Sequence, residues 1–424
     1  MLSLKIAVIG LGYVGLPLSS LLARNFEVIG FDVDEAKIIR INSGETPIDE
    51  PELSELLSSA LKTENLTVTN NPTSIKEAKI KIITVGTPYD ETSDYVDYSQ
   101  LEDSLKVLLP NLNRGDVIIL KSTVPPGTTM GLLKDRIKST GYSVPEDIGL
   151  VFSPERMIEG QAVRDFQTLP KIVGASDVKS ARIAEEILRT LGGKIIQVSN
   201  PETAETIKMV DNYSRYVFIA LANELALVSE KLGVDVLEVI RSAKDDYPRN
   251  AGLLLPGPGV GGSCLNKDPF ILRGVVRKLG FDMQLVKSAE IVNSGMPPHI
   301  VEMVVNYRKS GVVSILGVAF KGDTDDTRYT PSFKIREGLI RKGFKVVLTD
   351  PFVADQNVLK DLYEACRETN ILVLITDHSE YKRIDLRKLR SLMWDNPLII
   401  DSRGLISRDE AIRNGFEYHG VGRL

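Results

Sequence analysis

Cysteine and histidine are scarce in this chain. Two cysteines, Cys264 and Cys366, stand among 424 residues, which excludes a disulfide framework and indicates a reducing, cytoplasmic location. The three histidines are His299, His378 and His419, and none lies at metal-ligand spacing from another. We therefore expect no metal cofactor.

Long apolar runs and an excess of positive charge are also missing. No apolar run reaches the roughly 18 residues that cross a bilayer, so the sequence predicts no membrane segment. Residues 1–10 are apolar but carry Lys5 and lead straight into a glycine motif, which favours a strand over a signal peptide. The net charge of −5 argues against a nucleic-acid partner. At this length, two or three domains with their own cores are expected.

Short apolar runs alternate with amphipathic stretches in the first part of the chain. They are rich in Ile and Val, are bounded by Gly, Asp or Pro, and span residues 5–9, 27–31, 80–85, 117–121 and 148–152. This α/β pattern predicts a doubly wound, Rossmann-like parallel-sheet domain over residues 1–199.

The middle of the chain has a different pattern. Pro201 and Gly233 bracket a stretch without internal Gly or Pro, which predicts one long helix. Helical patterns at 236–244 and 269–292 extend this into a helical central domain over residues 200–300, which ends near Pro297-Pro298. Apolar runs then return at residues 312–318, 345–349, 371–376 and 398–400. They predict a second Rossmann-like domain over residues 301–424.

A glycine motif follows the first apolar run, and Asp32 ends the second. Glycines at this spacing allow a tight turn, a close approach to a pyrophosphate and close helix–strand packing. The Asp32 carboxylate can accept hydrogen bonds from both adenosine ribose hydroxyls and would repel a 2′-phosphate, so NAD is favoured over NADP. The predicted cofactor contacts are Gly10, Gly12, Tyr13, Val14, Gly15 and Asp32.

The segment 256–268 holds four glycines, two prolines and Cys264. Such a composition forms a loop that brings backbone, as at Gly261, close to a ligand. Cys264 is the good neutral-pH nucleophile here, although a buried, inert cysteine is the alternative. A thiol allows oxidation beyond the aldehyde: a thiohemiacetal loses a second hydride, and water hydrolyses the resulting thioester. One site can then perform a four-electron oxidation.

The loop around Cys264, the glycine motif and Asp32 together resemble the UDP-glucose/GDP-mannose dehydrogenase family. The resemblance covers essentially the whole chain, and further family-like blocks stand at residues 122–128, 153–156, 205–208 with Asn212, 320–324 with Arg328, and 401–404. It implies an NAD-dependent enzyme that oxidises the C6 alcohol of a UDP-sugar to a carboxylate.

The resemblance also implies a set of catalytic residues. Cys264 corresponds to the nucleophile, and Asp268 to the acid that activates water or moves a proton. Lys208 corresponds to the cation that stabilises the developing oxyanion. Asn212 lies four residues later and therefore on the same helix face, for which a solvated surface is the alternative reading.

Further roles follow from the same resemblance. Glu155 corresponds to the carboxylate of the thioester-hydrolysis step, and Thr123 to a hydroxyl that orders water. Thr123 and Thr87 are also expected to contact the cofactor. Arg328 resembles a contact to the NAD pyrophosphate, with an ion pair to one of the aspartates at 325–326 as the alternative.

Substrate contacts are implied in both halves of the chain. Lys321 and Arg403 resemble contacts to the uridine diphosphate, and both follow apolar runs, where open α/β sheets place binding loops. Arg249 resembles an arginine that reaches the sugar of a neighbouring subunit, which implies a homodimer with the long helix in its interface. The segment Ser-Pro-Glu-Arg, which contains Glu155 and Arg156, resembles the same segment in the branch of the family that acts on UDP-N-acetylhexosamines, particularly UDP-N-acetylmannosamine.

Two departures from the family pattern leave other sugars open. Asn266 stands where proline is common, and Tyr247 stands where many members of that branch carry histidine. UDP-N-acetylglucosamine and UDP-glucose are therefore alternative substrates. A two-electron hydroxyacid dehydrogenase is disfavoured by the Cys264 loop and by residues 312–424. A catalytically inactive nucleotide-sugar-binding protein is disfavoured by the intact set of expected catalytic residues.

Overall fold

The computed structural model describes residues 4–90 and 95–423. The chain divides into two compact units, residues 1–210 and 211–424. The long helix that begins at Pro201 passes through this division. The predicted three-domain boundaries, after residues 199 and 300, stay predictions.

The first unit is built around a twisted sheet. Its strands are β1 (Lys5–Ile9), β2 (Glu27–Phe31), β3 (Leu66–Thr69), β4 (Ile80–Ile83), β7 (Val117–Leu120), β8 (Gly149–Phe152), β9 (Lys171–Ala175) and β10 (Ile195–Val198), with a separate ribbon of β5 (Tyr89–Asp90) and β6 (Tyr95–Val96). Its helices are α1 (Gly15–Leu22), α2 (Glu35–Asn42), α3 (Leu53–Lys62), α4 (Ser99–Leu108), α5 (Lys134–Lys138), α6 (Ala162–Thr168) and α7 (Val178–Arg189).

The order of the strands is that of a Rossmann fold. The sheet runs β10-β9-β8-β7-β4-β1-β2-β3, so the strands from β3 to β8 follow the 3-2-1-4-5-6 pattern. Neighbouring strands are parallel except β8 and β9, which are antiparallel, a reversal that the sequence did not predict. The strand order changes direction between β1 and β4, and ligands bind at the carboxyl ends of strands at such a switch point.

Alternate residues of each central strand pack into two separate cores. Ile6 and Val8 belong to one core and Ala7 and Ile9 to the other, and all four are almost fully buried. This explains why the strands appear as continuous apolar runs, since both faces of the sheet are covered by helices.

The second unit repeats the same strand order. Its strands are β11 (Val312–Leu316), β12 (Lys345–Thr349), β13 (Val358–Leu359), β14 (Ile371–Leu374), β15 (Leu398–Asp401) and β16 (Glu417–Gly420). All pairs are parallel, in the order β13-β12-β11-β14-β15-β16, which is again 3-2-1-4-5-6. Both predicted Rossmann-like sheets are therefore confirmed.

The remaining α-helices begin with the long helix after β10 and continue into the second unit. They are α8 (Pro201–Leu232), α9 (Val236–Lys244), α10 (Asp268–Lys278), α11 (Gln284–Tyr307), α12 (Pro331–Arg341), α13 (Leu362–Ala365), α14 (Leu386–Leu392) and α15 (Arg408–Arg413). The long helix α8 is confirmed. The single helical stretch expected over 269–292 is wrong, because a break that includes Gly280, at φ +82°, separates α10 from α11.

Helix α11 extends beyond residue 292, where the predicted helical pattern ends, and past the two prolines that follow it. Pro297 and Pro298 lie inside it, and the helix continues to Tyr307. A proline has no N–H, so Pro297 leaves the Asn293 carbonyl without its intrahelical donor. Gly259 packs beside that carbonyl, where an added Cβ would lie 3.0 Å from the Asn293 oxygen. The prolines thus shape the surface on which the Cys264 loop rests.

Candidate active site

The glycine loop after β1 has the geometry of a dinucleotide site. Gly10 has φ +97°, and a Cβ at Gly15 would lie 1.8 Å from the Gly10 oxygen, so neither position accepts a side chain. A Cβ at Gly12 would meet nothing within 4 Å, which leaves that backbone open to a ligand. Thr84, after β4, donates to the Gly10 carbonyl at 2.7 Å and fixes the turn.

Two further expected cofactor contacts lie in the same loop. Tyr13 is exposed, and Val14 immediately precedes α1. Helix α1 begins at Gly15, so its N-terminal N–H groups point toward the loop and favour an anion there. The arrangement fits the pyrophosphate of NAD at Gly12.

Asp32 is buried at the end of β2. Its Oδ2 accepts from the Leu11 N–H at 2.8 Å and from Lys37 Nζ at 2.9 Å, and its Oδ1 accepts from the Asp34 N–H at 3.0 Å. Burial opposes ionisation, but these donors outweigh it and lower the pKa of Asp32. The carboxylate is thus ionised at neutral pH, as an acceptor for ribose hydroxyls must be, and Lys37 is a neighbour that the sequence analysis missed.

The loops after β4 and β7 are joined near the switch point. The Thr87 hydroxyl donates to the Thr123 carbonyl, and the Ser122 hydroxyl donates to the Val85 carbonyl at 2.6 Å. The structure therefore brings together Thr87 and Thr123, which the sequence placed 36 residues apart.

Glu155 follows β8 and is held at both carboxylate oxygens. Its Oε1 accepts from the N–H groups of Arg156, at 2.8 Å, and Met157, at 3.0 Å. Its Oε2 lies 3.3 Å from Nζ of Lys121, a residue that the sequence analysis treated as the end of a strand. Arg156, expected at the sugar, is half-buried in the same loop.

A second buried carboxylate fixes the rest of that loop. Glu50 accepts from the N–H groups of Gly160, at 2.8 Å, and Ala162, at 2.5 Å. Burial raises the pKa of Glu50 despite these donors. The segment that carries Glu155 is thus anchored from a part of the chain more than 100 residues away.

Glu205 and Lys208 lie in the first turns of α8. Glu205 is fully buried and accepts from the Gly127 N–H at 2.6 Å and from the Thr129 N–H at 2.8 Å and hydroxyl at 2.6 Å. Burial raises the pKa of Glu205 to about 7. Lys208 is largely buried, and its amine forms no ion pair or hydrogen bond with the described residues. Within the part of the chain that the structure describes, Lys208 is therefore a largely buried lysine with no paired carboxylate.

The glycines of the Cys264 loop are required by close packing in the second unit. A Cβ at Gly261 would lie 2.4 Å from Cβ of Phe320, and one at Gly262, where φ is +80°, would lie 2.7 Å from the Phe320 ring. The Gly262 N–H donates to the Arg328 carbonyl at 2.9 Å. The loop is thus fixed against the segment that follows β11.

Cys264 itself is exposed, whereas Cys366 is buried. The Cys264 carbonyl accepts from the Asp268 N–H at 2.9 Å, so one helical turn separates the thiol from the first residue of α10. Asp268 is 1% exposed, its Oδ2 accepts from Asn212 Nδ2 at 2.6 Å, and its Oδ1 has no hydrogen-bond partner among the described residues. The structure therefore joins Asn212 to Asp268, which lie 56 residues apart in sequence.

Asn266 replaces the usual proline and has a structural part in this turn. Its side-chain amide donates to the Gly262 carbonyl at 2.9 Å and to the Val260 carbonyl at 3.3 Å. A proline restricts the loop through its ring, whereas Asn266 restricts it through hydrogen bonds.

Arg403 lies in the turn after β15. Its Nε donates to the Ile375 carbonyl at 2.7 Å, and its backbone N–H donates to Asp401 at 2.9 Å. Burial lowers the pKa of Arg403, against the opposing effect of Asp377 and Asp401. A guanidinium group held in this way at the carboxyl end of a sheet suits a diphosphate.

The loop that carries Lys321 is tied to a buried histidine. The Asp323 N–H donates to His378 Nδ1 at 2.9 Å, and Nε2 of the same ring lies 2.9 Å from Asp350 Oδ2. Burial disfavours the charged carboxylate, but His378 and the N–H groups of Ala319 and Val318 lower the pKa of Asp350 to about 2. Neither His378 nor Asp350 was predicted to be a site residue.

Two predicted arginines are on the surface of the second unit. Arg328 forms a two-pronged ion pair with Asp326, with Nε–Oδ1 at 2.9 Å and an Nη–Oδ2 distance of 2.6 Å, which is the alternative considered from the sequence. Arg249 is exposed in a short turn, Pro248–Asn250, after α9. Its expected contact is with a neighbouring subunit.

Within residues 4–90 and 95–423, no group of three or more His, Cys, Asp or Glu side chains could hold a metal ion. No helix in that part of the chain combines the length and hydropathy needed to cross a membrane.

Known proteins are similar to this sequence over nearly its full length. Three profiles of the UDP-glucose/GDP-mannose dehydrogenase family match: the NAD binding domain at residues 4–192, the central domain at 202–295 and the UDP binding domain at 314–408. UDP-N-acetyl-D-mannosamine dehydrogenase of Methanococcus aeolicus is 33% identical, over 99% of this chain and 95% of its own. UDP-glucose 6-dehydrogenase TuaD of Bacillus subtilis is 32% identical, over 99% of this chain and 93% of its own.

A solved structure agrees with these matches. The structure of the UDP-D-ManNAc dehydrogenase from Pyrococcus horikoshii is similar to this one with a TM-score of 0.91 and 33% sequence identity, and the match covers 99% of each chain. The residues around Gly12 and Asp32 fit NAD, and the predicted cofactor is confirmed by the NAD binding domain. The chain belongs to the UDP-glucose/GDP-mannose dehydrogenase family and is an NAD-dependent nucleotide-sugar dehydrogenase.

Proposed function

We propose that this enzyme oxidises the C6 alcohol of UDP-N-acetyl-D-mannosamine to the carboxylate, through a covalent intermediate on Cys264. The observation that carries the proposal is the pairing of an exposed thiol with a buried carboxylate one helical turn away. Asp268 Oδ1 is buried and unpartnered among the described residues, so it is available to take or give a proton. Asn212 holds the other oxygen and fixes the orientation of the group.

Two oxidations and one hydrolysis make up the proposed reaction. NAD supplies the hydride acceptor, one molecule for each oxidation. The Cys264 thiolate adds to the aldehyde carbon, and the resulting thiohemiacetal becomes a thioester when the second hydride leaves. Water then breaks the C–S bond, which releases the carboxylate and restores the thiol. The products balance as two NADH per sugar.

Other residues stabilise charge, activate water or bind phosphate groups in these steps. Lys208 stabilises the oxyanion that forms when the thiol or water adds to the carbonyl carbon. Glu155 serves as the base for the hydrolytic water, and Thr123 orders that water. Lys321 and Arg403 bind the diphosphate of the substrate. Arg328 would help to hold the pyrophosphate of NAD once its ion pair with Asp326 is released.

The identity of the sugar rests on a small set of signals. Arg156 directly follows Glu155, and relatives that act on UDP-N-acetyl-D-mannosamine are 33–34% identical. A UDP-glucose relative is 32% identical, so identity alone does not separate the substrates. We therefore compare NADH production with UDP-N-acetylmannosamine, UDP-N-acetylglucosamine and UDP-glucose. A higher kcat/KM for either of the latter two would overturn the substrate assignment.

Substitution of the two cysteines tests the covalent step. Cys264→Ala should lose four-electron turnover, and Cys264→Ser should be very slow and hold an adduct of sugar mass, because an alkoxide is a poorer nucleophile at neutral pH. Cys366→Ser is the matched control and should retain activity, since Cys366 is buried in a hydrophobic core. Two NADH per sugar from Cys264→Ala would remove the thioester mechanism.

A homodimer is the proposed assembly. Five large apolar residues of α8 are exposed and recur at helical spacing within one narrow stripe: Val210, Phe218, Leu221, Val228 and Leu232. A contiguous exposed apolar stripe marks an interaction surface, and a second copy of the same helix would cover it. Light scattering should give a dimer mass, and a double Phe218→Asp, Leu221→Asp variant should give a monomer.

The proposed dimer also predicts a shared active site. Arg249→Ala should weaken use of the substrate while it leaves the dimer intact. Mixing Arg249→Ala subunits with Cys264→Ala subunits should restore part of the activity, because one hybrid site in each mixed dimer would be whole. If confirmed subunit exchange restores nothing, Arg249 acts within its own chain.

A further inference from the structure

Lys121 is a buried cation with no part in the roles assigned so far. It immediately follows β7, and its side chain is 2% exposed. Register explains its position, because β7 and β8 pair Leu120 with Phe152, so the residues after them, Lys121 and Ser153, are neighbours. The ammonium group donates to the Ser153 carbonyl at 3.1 Å.

Lys121 contacts one oxygen of the Glu155 carboxylate. The 3.3 Å distance joins its Nζ to Oε2, while Oε1 is held by two backbone N–H groups. The backbone donors alone fix one oxygen and leave the plane of the carboxylate free to turn about it. The ammonium group fixes the second oxygen and thereby the direction in which Glu155 presents its lone pairs.

A second lysine lies nearby but is held differently. Lys171, on β9, donates to the carbonyls of Phe166, Leu169 and Gly192, whereas the ion pair of Glu155 is with Lys121. Burial lowers the pKa of Lys171 to about 8, and the charges of Glu155 and Lys121 affect it in opposite directions. Lys171 is therefore saturated by carbonyl groups, and Lys121 is the cation paired with Glu155.

We propose that Lys121 is a positioning residue for the hydrolysis of the thioester, which aims the Glu155 carboxylate at the attacking water. The inference rests on the role of Glu155 in the proposed function. Misplacement of a catalytic group by about 1 Å reduces the rate on the order of 100-fold. Hydrolysis comes after both hydride transfers, so loss of Lys121 slows release of the product and spares the oxidations.

Rapid-mixing measurements of NADH separate these steps. With Lys121→Met we expect a burst of two NADH per active site at the wild-type rate, followed by a steady state slower on the order of 100-fold. Mass spectrometry of the quenched enzyme should find the acyl group on Cys264. Lys81→Met is the matched control, because Lys81 is an equally buried lysine in the same sheet, paired with Asp116 at 2.7 Å, and its loss should leave the ratio of burst to steady state unchanged.

A double-mutant cycle tests whether Lys121 acts through Glu155. Glu155→Gln should also give a burst and a slow steady state. Adding Lys121→Met to Glu155→Gln should lower kcat by no more than about twofold further, because a residue that acts only by orienting Glu155 has nothing left to orient. If the two losses multiply, Lys121 acts independently of Glu155 and the inference is overturned.

The remaining outcomes are distinct. A burst in Glu155→Gln but none in Lys121→Met overturns the inference and leaves the proposed function intact. No burst in Glu155→Gln removes the hydrolytic role of Glu155 and the inference with it. If Lys121→Met does not fold, Lys121→Arg retains the charge at a shifted position, and it should keep the burst while kcat falls. A diminished burst with this variant would overturn the inference as well.

Discussion

The buried carboxylate of Glu205 should make the stability of this protein depend on pH. Burial raises its pKa from 4.5 to about 7, a difference of about 2.5 pH units. At about 1.36 kcal/mol per unit, the linked free energy is at most about 3 kcal/mol. Because the folded state holds the proton more tightly, this stabilisation is complete below about pH 4.5 and is lost as the pH rises to about 7.

The comparison of wild type with Glu205→Gln isolates this effect. Glutamine does not titrate, so the difference in Tm between wild type and variant should fall from pH 4.5 to 7 and then level off. For a unit of this size, 1 kcal/mol corresponds to about 2–4 °C, so the fall should reach about 6–12 °C. Glu186→Gln, an exposed carboxylate on α7, is the control and should show no such trend. A difference that stays flat, or that grows with pH, would mean that the donors from Gly127 and Thr129 outweigh burial, and it would refute the reasoning.

Three other substitutions give clear expectations. Gly12→Ala should leave the Tm unchanged, because a Cβ at this position meets no other atom, but steady-state kinetics should show a KM for NAD raised at least about tenfold, because the position faces the expected cofactor site. Gly15→Ala should lower the Tm or prevent folding, because its Cβ would lie 1.8 Å from a carbonyl oxygen. Asp32→Ala should raise the KM for NAD with turnover recovered at high NAD, and an unchanged KM would contradict the cofactor site. His378→Ala should lower the free energy of unfolding in urea by about 2–4 kcal/mol, because it leaves the buried Asp350 short of a donor; a loss below 0.5 kcal/mol would argue against that network.

The sequence predicts the central strands well and the edge strands poorly. The strands β1 and β2 have the predicted bounds, since they are buried on both faces and form unbroken apolar runs. The strand β3 alternates buried and exposed residues, and β16 reads Glu-Tyr-His-Gly, so neither resembles a buried strand. Edge strands are stabilised by one neighbour and by tertiary packing, which a local pattern does not report.

The candidate site shows a similar division. Local motifs select Cys264 and Glu155 as candidates, because each lies in a short segment of unusual composition, and their roles stay predictions. The partner of Glu155 was missed, since Lys121 reaches it only through the register of two parallel strands. Likewise, Asn212 was placed by helix spacing beside Lys208, whereas its hydrogen-bond partner is Asp268 on another helix. Contacts between distant segments depend on the order of the strands and on how the helices pack, and a local sequence pattern reports neither of these.

The two cysteines differ in exposure, so one of them can be labelled selectively in the native protein. Cys366 is fully buried, and burial raises its pKa to about 12, so it is almost entirely an unreactive thiol at neutral pH. Cys264 is exposed. A maleimide or haloacetamide dye should therefore label the native protein at one place without any engineering. Under the proposed mechanism, counting dye per chain would titrate active sites, and ligands that cannot be oxidised would still protect Cys264 from labelling.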